Sequence, residues 1–93
     1  MMKLNDYQKK AQTTLMEDRE CHEYLLIGLA GEVGEVMELF KKSMWHGSDI
    51  ERNRVKEELG DVLWYLSQIA GLSGFSLQEI AEHNLRKLQA RYR

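Results

Sequence analysis

Between His22 and Leu72, apolar residues recur every three to four positions through two stretches of about 22 residues each, and no proline interrupts the 93-residue chain. That period paints an apolar stripe down one face of a helix, and the stripe has to be buried against something. "WHGSD" breaks the first stretch after Met44, and "GLSG" stops the second. "SDIE" reads as a capping box opening the second stretch, with Ser48 three residues before Glu51. Two long helices joined by so short a break pack as an antiparallel pair. A shorter helix is expected before them, from about Asn5 to Leu15, with Asn5 as its cap and Tyr7, Ala11 and Leu15 on one face. "MEDRECHE" reads as a polar connection. A fourth helix starts at a second capping box, Ser76 with Glu79, and continues through "IAEHNLRKLQARY". No segment alternates convincingly as a strand. The expectation is one all-α domain over residues 1–93, a four-helix bundle-like protomer with two long central antiparallel helices.

Composition narrows the function classes. Fifteen acidic against thirteen basic residues give a formal charge of −2, which provides no general field for nucleic-acid phosphates. Cys21 is the single cysteine, so neither an internal disulfide nor a cysteine zinc site is available, and a reducing, cytoplasmic setting fits. "MMKLNDYQKK" lacks the apolar run of a signal peptide, and "YLLIGLAG" is too short to span a bilayer.

The chemistry concentrates on the two long helices. "GLAGEVGEVMELFKK", residues 28 to 42, contains three glycines, each costing about 1 kcal/mol relative to alanine inside a helix. On a helical wheel, Leu25, Leu29, Val33, Val36 and Phe40 form the core stripe. Glu32 lies about 60° from its centre and Glu35 about 120° away on the same side, whereas Glu38 points to solvent. In the next helix Val55, Leu59, Val62, Leu63, Leu66 and Ile69 form the stripe. Glu58 lies about 80° from its centre with Asp61 further round and Tyr65 one turn along, and Glu57 lands on the far side. If the stripes pack together, Glu32, Glu35, Glu58 and Asp61 meet at one rim. One E-x-x-E is an ordinary feature of a solvated helix face. Two acidic pairs, each on the same flank of an apolar helix and each beside glycine, point instead to a hard divalent cation, which offsets the repulsion among four carboxylates. The glycines would leave room for a ligand to approach the backbone.

"GEVGEVMELFKK" followed by "EELGDVLWYLSQIA" resembles the MazG-like all-α nucleotide pyrophosphohydrolases, a superfamily that also contains dimeric dUTPases and dCTP pyrophosphatases. The shared signature is E-x-x-E, a gap, then E-x-x-D: Glu32 and Glu35, 22 intervening residues, then Glu58 and Asp61. "LNDYQKKA" and "NLRKLQARY" extend the resemblance over nearly the whole chain. It implies Mg²⁺-dependent hydrolysis of a nucleoside triphosphate to the monophosphate and pyrophosphate, with Mn²⁺ a possible substitute and the four acids holding the metal. Glu35 is the candidate base acting on the attacking water.

Other residues join this picture as expectations. Asn84 lies within the helix-four stripe of Leu77, Ile80, Ala81, Leu85 and Leu88. With Lys87 and Arg91 it resembles the family's "N…K…R" tail, which contacts nucleotide or phosphate; the competing role for Asn84 is fixing helix register. Tyr65 is placed either to donate to a phosphate or simply to pack. Trp45 and His46, in the loop after helix two, could stack a base; Lys41 and Lys42 read as a solvated face, with either able to reach a phosphate. The dCTP-type relatives carry an aromatic residue where this chain has Lys42, which argues against dCTP. Trp64 points away from its helix's core face and is expected at a subunit contact. His22, His46 and His83 show no metal-ligand spacing.

Leu26, Ala30 and Met37 on helix two, with Trp64 and Leu72 on helix three, leave more apolar surface than a short monomer covers. A homodimer or dimer of dimers is expected, as the family resemblance also implies. The alternative is a non-catalytic helical interaction or regulatory module with a vestigial metal site. A di-iron carboxylate bundle is disfavoured, since the central helices carry no Glu-x-x-His pair.

Overall fold

The computed structural model describes residues 1–45, 47 and 49–92. Four α-helices make up the fold, and no strand occurs among the described residues: α1 (Leu4–Gln12), α2 (His22–Trp45), α3 (Arg52–Leu72) and α4 (Leu77–Arg91), with a 3₁₀ turn at Glu17–Arg19. The all-α expectation holds. Gly28 faces Tyr65, Glu32 lies by Asp61, and Phe40 shares a groove with Val55, so α2 and α3 run antiparallel. No described helix is long and apolar enough to cross a membrane.

Several boundaries differ from the expected ones for local reasons. α1 ends at Gln12 rather than Leu15. The hydroxyls of Thr13 and Thr14 donate to the carbonyls of Lys10 and Ala11, each at 2.6 Å, and these side-chain bonds compete with continued helix. Asn5 does not cap α1. Its N-cap is Lys3, whose backbone N–H donates to Asp6 Oδ2 at 2.9 Å, while Asn5 Oδ1 accepts from the N–H of Gln78 at 3.2 Å and so caps α4 instead. α3 begins one residue after Glu51, which is the N-cap itself rather than the third helical residue of a capping box; Ser48 lies outside the described residues. The second capping box forms as expected. Glu79 N–H donates to Ser76 Oγ at 3.1 Å and Ser76 N–H to Glu79 Oε1 at 2.7 Å. Gly74, at φ 85°, ends α3 in the left-handed conformation that costs glycine least, and Phe75 N–H returns to Ala70 O at 2.8 Å.

α1 lies across α3 and the start of α4. Buried Gln68 donates to Ala11 O at 2.8 Å, and Trp64 Nε1 donates to Thr14 Oγ1 at 2.8 Å. Gln8 accepts from Leu77 N–H at 2.9 Å and donates to Phe75 O at 3.0 Å, so one side chain ties α1 to the α3–α4 corner. Trp64, expected at a subunit contact, is half-buried and bonded to Thr14 of its own chain.

The core is thin. Leu25 is the only large apolar side chain that is fully buried among the described residues. Val33, Phe40, Leu59, Leu63 and Leu66, all placed in the core stripes by periodicity, are each 36% exposed or more. The radius of gyration, 15.5 Å, exceeds the roughly 12 Å of a compact chain of this length. α2 and α3 bury only one side of their apolar surface against each other.

Candidate metal and phosphate site

Antiparallel pairing sets the two acidic motifs side by side. Carboxylate oxygens of Glu32 on α2 and of Glu58 and Asp61 on α3 all lie within 4.8 Å of one another. Glu32 and Glu58 are half-buried and Asp61 is exposed, so the cluster opens to solvent on one side. Glu35 lies one turn beyond Glu32 at the edge of this group, exposed, and its oxygens are not among those that converge. Its charge still reaches Glu32. Glu38 and Glu57 are exposed, as the wheels placed them, and Glu38 pairs with Lys41 Nζ at 3.5 Å on the outer face.

This crowding shows in the protonation of Glu32. Burial, a hydrogen bond shared with the Glu58 carboxyl, and the charges of Asp61, Glu58 and Glu35 push its pKa up to about 7. The donor set is all hard carboxylate oxygen, which suits Mg²⁺ or Mn²⁺ rather than a soft metal. Oxygens no more than 4.8 Å apart are close enough to be drawn onto one cation with bonds of about 2.0–2.1 Å. These residues therefore fit a divalent cation.

Two tyrosines, Tyr7 and Tyr65, lie near the cluster, and Tyr24 lies beside the second. Tyr65 is half-buried, stands edge-on to Trp64 with ring centroids 5.0 Å apart, and has the Tyr24 hydroxyl beside its own. Burial first, then Tyr24 and the charges of Glu32 and Asp61, raise its pKa. Burial and the charge of Asp61 raise that of Tyr7 on α1. Sequence reasoning missed Tyr24 and Tyr7. Tyr24 lies two turns before Glu32, a spacing that brings both onto one side of α2, and this was the available signal.

The glycines do not act alike. Side-chain space at Gly31, Gly34 and Gly60 is open, with no neighbouring atom within 4 Å, as an approach for a ligand requires. At Gly28 that space is filled by the Tyr65 ring, so the expectation of bare, accessible backbone is corrected there.

The remaining expected site residues lie apart from the acids. Trp45 is the last residue of α2 rather than a loop residue; it and Lys42 are exposed, and His46 lies outside the described residues. Asn84, expected inside the α4 stripe, is exposed. α4 packs on α1, and Asn84 and Lys87 line an open groove of about 500 Å³ with Phe75 and Ile80. Arg91 is exposed in the last turn of α4. None of these three residues acts on the Glu32 carboxyl.

The family model for the MazG nucleotide pyrophosphohydrolase domain matches residues 20–93, from just before α2 to the end of the chain. A curated relative is the Gene 37 protein of Mycobacterium phage L5, 36% identical over 72 residues, covering 73% of this chain. The matched region spans 63% of that relative's length. No solved structure matches. With the match covering all of α2, α3 and α4, the chain belongs to the MazG nucleotide pyrophosphohydrolase family.

Proposed function

We propose that this chain is a Mg²⁺-dependent pyrophosphohydrolase that converts a ribo- or deoxyribonucleoside triphosphate to the monophosphate and pyrophosphate, with Mn²⁺ able to substitute. The observation that carries this reading is the convergence of Glu32, Glu58 and Asp61 from two helices, with no basic group among those acting on Glu32. Like charges at such spacing favour the apo-chain protonation of Glu32, and a divalent cation removes that penalty. When bound, the metal supplies charge neutralisation at the phosphates and a water of lowered pKa.

Glu32, Glu58 and Asp61 would hold the cation, with Glu35 beside them. Glu35 makes no ion pair among the described residues, so its carboxylate is free to take the proton of the water attacking the α-phosphorus. The pyrophosphate group leaves from the opposite face. Lys42, Asn84, Lys87 and Arg91 supply phosphate contacts, Trp45 a stacking surface and Tyr65 a hydroxyl near the acids.

A homodimer or dimer of dimers accompanies this reading. The apolar residues left uncovered on α2 and α3 are supplied with a partner by a second copy, and a second copy also offers a way to bring an α4 tail toward the acids.

The test is a panel of ribo- and deoxyribonucleoside triphosphates incubated with Mg²⁺, products separated by chromatography. Monophosphate plus pyrophosphate is the expected result. Diphosphate plus phosphate overturns the reaction assignment. No turnover across the panel favours the non-catalytic interaction module.

A further inference from the structure

Gly28 and Tyr65 face each other one helical turn from the acid cluster. Gly28 precedes Glu32 by four residues on α2, and Tyr65 follows Asp61 by four on α3, so each pair stacks along its own helix. A Cβ built on Gly28 would overlap Cε1, Cζ and Oη of Tyr65. The ring therefore occupies the place where any other residue at position 28 would carry its side chain. Trp64 stands edge-on to the ring, and Tyr24 on α2 lies beside its hydroxyl. Trp64 is in turn anchored by its 2.8 Å bond to Thr14. Among the helical glycines near the acids this is the one with no free space, since positions 31, 34 and 60 are open.

We propose that Gly28 is a positioning residue: its missing side chain seats the Tyr65 ring against the α2 backbone and so sets the α2–α3 separation at which Glu32 and Asp61 share one divalent cation. The inference rests on the reading of those acids as metal ligands. The ring already fills the gap between α2 and α3 beside the cluster, so added bulk at position 28 has no room unless the helices move. An alanine at position 28 lifts the ring, widens the gap between the helices and spreads the carboxylates.

The experiment is titration of the full chain with Mn²⁺, free ion read by electron paramagnetic resonance, with helical content followed by circular dichroism. Gly28→Ala is expected to weaken Mn²⁺ binding about 10- to 100-fold, the usual effect of disturbing groups that orient metal ligands. Gly71→Ala, on α3 away from the acids with its nearest neighbour Gln8 at 3.8 Å, is expected to bind as the parent chain does. Gly28→Ala combined with Tyr65→Leu removes the overlap and is expected to recover most of the lost affinity. Should Gly28→Ala fail to fold, the double variant carries the test, and it is expected to fold and bind. Equal binding by the parent chain and a folded Gly28→Ala overturns this proposal alone. So does a double variant that stays as weak as the single one or does not fold. No saturable Mn²⁺ binding by the parent chain overturns the metal reading and this proposal together.

Discussion

The Glu32 carboxyl, on α2, shares a hydrogen bond with that of Glu58, on α3, and beside Asp61 its pKa rises to about 7. A pKa there leaves the metal-free site partly protonated at neutral pH, and a divalent cation bound by these acids would displace that proton.

The first prediction follows from that proton. Glu32 is raised in the folded chain above its ordinary 4.5, so its contribution to stability is fully present below that value. The contribution is lost as pH rises through about 7, because the folded site must then ionise against its neighbours. Denaturant unfolding of the metal-free chain at constant protein concentration should show a loss of about 1–3 kcal/mol from this group across that window. Glu32→Gln should flatten the profile. An unchanged pH slope in that variant would contradict the assignment.

Glu35 stands outside the converging trio yet close enough for its charge to reach Glu32. Glu35→Gln should lower the rate of pyrophosphate release by about 10²-fold or more, the usual scale of general-base loss. Asp61→Asn should chiefly raise the Mg²⁺ concentration needed for half-maximal rate. Near-normal turnover by Glu35→Gln would remove it as the base.

Gln8 bridges α1 to the α3–α4 corner with two hydrogen bonds, to Phe75 O and from Leu77 N–H. Gln8→Ala should destabilise the chain by about 1–2 kcal/mol, measured by denaturant unfolding. Ser76→Ala, which removes the acceptor for Glu79 N–H, should cost about 1 kcal/mol. Loss of helix at α4 without change at the acids would show as intact Mn²⁺ binding.

Uncovered Val33, Phe40, Leu59, Leu63 and Leu66 predict self-association. Light scattering at micromolar concentration should return a multiple of 10.9 kDa. A 10.9 kDa particle would contradict the assembly. Phe40→Glu should drive the assembly toward smaller species.

What was legible in the sequence was what depends on one helix at a time. The Ser76–Glu79 box spans three residues and forms as written. The angular positions of Glu32, Glu58 and Asp61 on their own wheels sufficed to bring three carboxylates together once the stripes met. What depended on a second element was not legible. The wheel put Gly28 beside the acids, but a ring arriving from α3 decides whether that gap is open or filled. Asn5 looked like a cap for the nearest helix and caps a distant one, because α1 lies against the start of α4. α1 stops three residues early because two threonine hydroxyls take carbonyls, a local choice that apolar periodicity does not register. Periodicity puts Asn84 in a stripe that α4 leaves exposed within one chain.

The most direct measurement is a crystal structure of the chain grown with Mn²⁺, with anomalous scattering used to locate the metal. The account predicts an anomalous peak in contact with oxygens of Glu32, Glu58 and Asp61. A peak bound elsewhere, or carboxylates that remain together with no metal at saturating Mn²⁺, would contradict it.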